Sequence, residues 1–162
     1  MTEPVDPHRR LRALLASQRV MTLASIGAQG PWAAAVFYAE RFDDDRLSLV
    51  FVSSPSSRHV AELEADARAA ASIHGDAADW RTLQGAQIAG RVRALDGAAL
   101  HAAQQAYASK FPQIGDPARA PEPIARAFAH VRWLALDVDR VFVTDNAVSF
   151  GQRTELVFPP VN

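Results

Sequence analysis

Between positions 53 and 59 the chain reads Ser-Ser-Pro-Ser-Ser-Arg-His, four hydroxyls followed by a guanidinium and an imidazole. All of these groups can donate hydrogen bonds and two can carry positive charge, so the chemistry they suit is holding an anion. Upstream, Leu47 to Val52 is an apolar run rich in β-branched and aromatic residues, which predicts a buried strand. Downstream, Val60 and Leu63 recur at helical spacing and predict a helix that any of the serines could cap. A strand end, a serine-rich turn and a helix start expose unpaired backbone N–H groups at the positive end of the helix dipole. Ser57, Arg58 and His59 add donors at the same spot, and a phosphate suits the set. A capped surface helix with solvated Arg58 and His59 would carry the same residues, so this stretch alone leaves both readings open.

Other chemistries find less support. The chain has no cysteine, which excludes a disulfide framework, a thiolate metal site and a cysteine nucleophile. Asp43, Asp44 and Asp45 lack the alternating ligands, central glycine and terminal glutamate of a calcium loop, and read as a solvated turn. The five histidines, His8, His59, His74, His101 and His130, show no metal-ligand spacing and fit no Ser-His-Asp order. A net charge of −1, with the two signs interspersed, leaves no footprint for nucleic acid. The first ten residues lack an apolar core of signal-peptide type and no later run approaches membrane-spanning length, so the expected location is cytoplasmic. At 162 residues the chain is expected to be a single domain over 1–162 with a core of its own.

The elements that must position residues 53–59 follow from pattern. Pro7 with Leu11, Leu14 and Leu15 predicts an amphipathic helix to about Ser17. Val20 to Ile26 predicts a strand closed by the turn residues Gly27 to Pro31, and Trp32 to Arg41 a second strand. After the Leu47–Val52 strand and a helix ending near Asp66, Arg68 to His74 reads as a strand. Gly75 to Thr82 is a polar loop holding Trp80. Leu83 to Leu95 predicts a long strand in which Gly85 and Gly90 mark bulges or close backbone approach. A helix over Gly97–Lys110 capped at Asp96, a Pro- and Gly-rich loop, and a helix from Glu122 to about His130 follow. In the last third Trp133, Ala135 and Asp137 point one way and Leu134, Leu136 and Val138 the other; Val141 to Val143 continues the strand, and Ser149 to Phe158 predicts a closing hairpin strand.

Consecutive strands joined by short hairpins argue for an antiparallel sheet, and this many strands in so short a chain would close into a barrel with helices at its ends. The alternating βα units and glycine fingerprint of a doubly wound fold are missing.

The order and spacing of these motifs resemble the pyridoxamine 5′-phosphate oxidase-like superfamily. The resemblance runs through Val20-Met-Thr-Leu-Ala-Ser-Ile-Gly27, Gly30-Pro31, the strand Ala33 to Tyr38, Leu49-Val-Phe-Val-Ser-Ser54, Ser57-Arg58-His59 and Glu62-Leu63. It covers Arg19 to Leu95 best. Gln87-Ile-Ala-Gly90, Thr144-Asp145-Asn146 and Phe150-Gly151 extend it toward the small YhbP-like subgroup. It implies an antiparallel split β-barrel, mainly β with flanking helices, that binds FMN at the interface of a homodimer. It assigns Ser57, Arg58 and His59 to the phosphate, Val52 and Ser53 to the phosphate–ribityl side, the Ala34, Val36 and Phe37 stretch to the ring edge through backbone groups, and Gln87 to the flavin. Read as residues alone, Ala33 to Ala35 equally suit tight sheet packing, and Gln87 a hydrogen bond that closes the barrel.

Two departures matter. His59 stands where the superfamily usually has lysine, which predicts FMN affinity that weakens as pH rises above neutrality. The Arg-x-His substrate signature of the true oxidases is missing from Phe150 to Leu156, so vitamin B6 oxidation is not implied. What the resemblance implies is an FMN-dependent oxidoreductase acting on an unidentified small molecule with NAD(P)H as donor; Trp80, Trp133 and Arg153 could line its substrate side. The alternatives are a non-catalytic carrier of flavin, deazaflavin or haem on the same barrel, and a dimeric scaffold without cofactor.

Overall fold

The computed structural model describes residues 6–114 and 118–160. Helix α1 (Pro7–Ser17) is capped by Asp6, whose carboxylate accepts the His8 N–H at 3.1 Å. Strands β1 (Val20–Gly27), β2 (Gly30–Asp43) and β3 (Arg46–Ser53) form two successive hairpins. The second turns through Asp44 in the left-handed region (φ 54°), a conformation aspartate tolerates. Helix α2 (Arg58–Ala65) leads into β4 (Arg68–His74), and a single 3₁₀ turn at Trp80–Thr82 into β5 (Gln84–Ala94). Then come α3 (Gly97–Lys110), α4 (Glu122–Phe128), β6 (Arg132–Asp145) and β7 (Arg153–Val157). The expected closing strand is shorter than Ser149–Phe158 because Asp145 and Asn146 hold the intervening residues in a turn, with Val148 and Ser149 N–H groups bonded to the Asp145 carbonyl.

The sheet is antiparallel in the order β3-β2-β1-β4-β5-β6-β7, and a further β3–β6 pairing closes six of the strands into a barrel. The two halves of β6 have different outer partners: residues 132–137 pair with β3 and residues 140–144 with β7, while β5 runs along the other edge. This is the split β-barrel expected from sequence. Near the division, β5 carries a bulge at Ala89/Gly90. A Cβ on Gly90 would lie 2.1 Å from the Asp137 carbonyl oxygen, so the barrel closes over a bare backbone there.

Alternation along the strands builds two cores. Met21, Leu23, Tyr38, Leu49, Phe51, Ile88, Leu136 and Val141 fill the barrel, joined by Leu11, Leu14 and Leu15 of α1 and Val60 and Leu63 of α2. Ala39, Val50 and Ala135 point outward under α3, where Tyr107 and Phe111 cover them and Trp133 packs 5.4 Å from Tyr107. Lys110 at the end of α3 donates to the Leu15 carbonyl at 2.9 Å and to Glu40 at 2.5 Å, joining α1, α3 and β2. Among the described residues no helix is long and apolar enough to cross a membrane.

Candidate functional site

Ser53, the last residue of β3, and Ser57 to His59, the first residues of α2, meet at one end of the barrel. His59 is buried, and its Nε2 lies 2.7 Å from Ser53 Oγ and 3.4 Å from Ser57 Oγ. The Ser57 hydroxyl donates to the Ser54 carbonyl at 2.8 Å. With that hydrogen committed, Nε2 serves both oxygens only as a donor, which leaves the Ser53 hydrogen for another acceptor. Ser57 occupies the N-cap position but its hydroxyl faces backward, so the Arg58 and His59 N–H groups have no partner among the described residues.

Arg58 is held from three sides. Its Nε donates to Glu62 one turn on at 2.7 Å, an Nη donates to the Gly30 carbonyl at 3.4 Å, and the guanidinium lies 4.5 Å from the centre of the Trp32 ring. Glu62 is fixed in turn by Ser25, whose hydroxyl donates to its other carboxylate oxygen at 2.6 Å. Only glycine fits at position 27, where a Cβ would stand 2.6 Å from Glu62 Cγ. The remaining N–H groups of Arg58, the first two amides of α2 and the Ser53 hydroxyl are donors gathered at this end of the barrel.

The electrostatics of the corner follow from burial and from Glu62. Burial pushes the His59 imidazole below its ordinary value of 6.5, partly opposed by the Glu62 charge, so the ring is neutral at physiological pH. In the ligand-free chain it therefore supplies a hydrogen bond rather than a charge. Hydrogen bonds from Ser25 and Arg58 hold the Glu62 carboxyl below its usual value, so it stays ionised beside Arg58.

A second feature lies on the outside of the barrel. Ala35, Thr22, Ser72, Gln87 and Phe142 stand in one row across β2, β1, β4, β5 and β6, beside a row of Ala33, Ala24, Ala70, Ala89 and Arg140. Most of these side chains are exposed, as are Val20 at 43% and Phe37 at 49%. A five-stranded face of mostly small side chains thus faces outward, uncovered among the described residues except at Phe37, which meets the Phe111 ring edge to face at 5.5 Å.

The family model for pyridoxamine 5′-phosphate oxidase matches residues 7–145. The chain belongs to that family. A curated relative, the UPF0306 protein YhbP of Salmonella paratyphi A, is 28% identical over 139 residues, 86% of this chain and 85% of the relative. Among solved structures the fold is similar to a heme binding protein from Mycobacterium smegmatis, with a TM-score of 0.72 and 22% identity, covering 97% of this chain and 60% of that one. It is also similar to a FAD-binding protein from Mesorhizobium loti, with a TM-score of 0.60 and 18% identity, covering 84% of this chain and 90% of that one.

Within this pyridoxamine 5′-phosphate oxidase family member, Ser53, Ser57, Arg58 and His59 come together, and Val52, half-buried against α3, adjoins them. Val36 points into the barrel core and Ala34 packs against it, so of the three only Phe37 presents its side chain outward. Gln87 does not join the corner. It pairs with Phe142, whereas Ser53 pairs with Arg132, ten residues back along β6, and β2, β1 and β4 lie between the strands of the two around the other side of the barrel. Its side chain forms no hydrogen bond among the described residues, so no such bond closes the barrel there. Trp133 lies in the outer core, far from Trp80. Sequence reasoning did not see the Ser25, Trp32 and Gly27 setting of Arg58; the Arg58–Glu62 spacing of one helical turn was the available signal.

Proposed function

We propose that this chain is an FMN-binding oxidoreductase that works as a homodimer, with the flavin at the subunit interface and its phosphate on Ser53, Ser57, Arg58 and the first amides of α2. The observation that carries this reading is the corner itself: a guanidinium held by Glu62, two helix-start amides without a partner among the described residues and the hydroxyls of Ser53 and Ser57 lie together at one end of the barrel. The bare outer face supplies the second half. Two copies packed through that face could bring Gln87 of one to the flavin held at the corner of the other. Ala34, Val36 and Phe37 would then meet the ring edge through the β2 backbone. The flavin supplies hydride and electron transfer when bound, and the chain's own residues bind, orient and shield it. A small-molecule substrate and a nicotinamide donor complete the reading; nucleic acid and membrane have no part in it.

Absorbance of the purified protein, followed by titration with FMN and with riboflavin, tests this. Uptake of FMN, a clear preference over riboflavin, and bleaching by NAD(P)H with recovery in air support the enzyme. Protein that takes up neither flavin overturns the reading.

The similarity to a heme binding protein supports a second reading, a carrier on the same barrel. His74 lies on the bare face with Nδ1 3.0 Å from the Gly75 carbonyl, so that nitrogen carries the hydrogen and Nε2 remains available to a metal. Haem uptake lost in His74→Ala, with no flavin bound, would favour it.

A further inference from the structure

The loop before β5 and the turn after β6 are tied together by one residue. The Asn146 amide nitrogen donates to the Trp80 carbonyl at 2.7 Å, its amide oxygen accepts from Gly151 N at 3.3 Å, and its backbone N–H donates to the Leu83 carbonyl at 3.0 Å. Gly151 turns the second segment back through a left-handed conformation, with φ of 72°. As a result Trp80 and Phe150 meet edge to face at 4.8 Å while remaining 56% and 71% exposed. The Arg81 guanidinium sits 4.8 Å from the Trp80 ring centre. Two large rings are fixed against each other in solvent, and neither is needed by the core.

Asn146 and Gly151 of this tie also line a recess of about 340 Å³, within the range of small-ligand sites. His74, Gly85, Thr144 and Arg153 follow one another across four strands, so the missing side chain of Gly85 opens the floor between the imidazole and the guanidinium. Gln87 adds an unbonded amide. No carboxylate lines the recess, and Arg153 forms no ion pair among the described residues. One cation, one imidazole and one amide with no acid in the lining, close in sequence to the paired rings of Trp80 and Phe150, suit a ligand that is flat at one end and anionic at the other.

We propose that this recess binds a planar aromatic carboxylate, its ring against Trp80 and Phe150 and its carboxylate on Arg153, with Gln87 alongside. Binding of the acid does not depend on the flavin reading. Its placement next to the flavin does, because that reading brings Gln87 to the partner's cofactor.

The test is a fluorine NMR titration with 4-fluorobenzoate, run on the protein without flavin and after loading with FMN. Saturable binding is expected in both, displaced by benzoate and at least tenfold less well by benzamide or cyclohexanecarboxylate. Arg153→Gln should weaken binding roughly tenfold, the loss typical of one charge-assisted hydrogen bond, with partial recovery in Arg153→Lys. Trp80→Ala and Phe150→Ala should each weaken it several-fold. These side chains are exposed, and circular dichroism confirms that each variant folds. Absence of saturation at millimolar probe, wild-type affinity in both Arg153→Gln and Trp80→Ala, or mole-for-mole displacement by FMN would overturn the proposal. Acid binding without flavin uptake would retain this site and remove the flavoprotein reading; flavin uptake without acid binding would do the reverse.

Discussion

At the scale of single residues, the corner works through arrangement more than through charge. Arg58→Ala should weaken FMN binding by about 1.5–3 kcal/mol in calorimetry while leaving riboflavin affinity unchanged, since only the former offers a phosphate to a lost charge-assisted donor. Glu62 separates position from charge. Glu62→Gln keeps an acceptor for Arg58 Nε and should preserve the preference for FMN over riboflavin. Glu62→Ala frees the guanidinium and should erode that preference, whereas a side chain that merely stabilised the fold would lower the melting temperature and leave the ratio of affinities alone. His59 predicts a pH effect on stability. Its folded-state value lies below 6.5, so the unfolded chain binds the proton more readily, and stability should fall as pH drops from about 6.5 toward the lowered value. His59→Asn should flatten that part of a urea-denaturation series. The serines, Arg58 and His59 were legible as an anion corner because their types and adjacency are local. Burial of His59 was not, because Ser53, reaching it from the preceding strand, sets its surroundings.

At the scale of elements, hydrophobic alternation made the strands readable, and the Leu134–Val138 inner face against the Trp133–Asp137 outer face appears in the two cores as the pattern implied. What pattern could not show was which glycine closes the barrel. Gly85 and Gly90 look alike in sequence, yet a Cβ at Gly85 would meet the Ile73 carbonyl at 3.4 Å while one at Gly90 would strike a carbonyl at 2.1 Å. Gly90→Ala should therefore destabilise by roughly 3 kcal/mol in chemical denaturation, and Gly85→Ala by less than about 1 kcal/mol. Nor could pattern show that the turn after β6 is pinned to the loop before β5, since Asn146 and Trp80 are far apart in sequence; the predicted closing strand was too long for that reason.

For the whole molecule, the bare face of β2, β1, β4, β5 and β6 sets the expected assembly. Ala35→Glu and Thr22→Arg place charge in the middle of a row of small side chains, where either should shift the sedimentation profile from dimer to monomer and lower FMN uptake with it. Barrel closure was legible from strand count and hairpin spacing, whereas a face left without cover is a property of the folded surface and no local pattern marks it. One further consequence comes from the division of β6 between two outer partners. Its first half is enclosed by β3 within the ring, whereas its second half is flanked by β7, a five-residue strand that ends the sheet. Opening of that margin exposes only one short ladder, so in amide deuterium exchange the protons of residues 140–144 that face β7 should be replaced well before those of residues 132–137 that face β3. The stretch that frames the aromatic recess is thus the part of the barrel free to breathe while the anion corner stays shut.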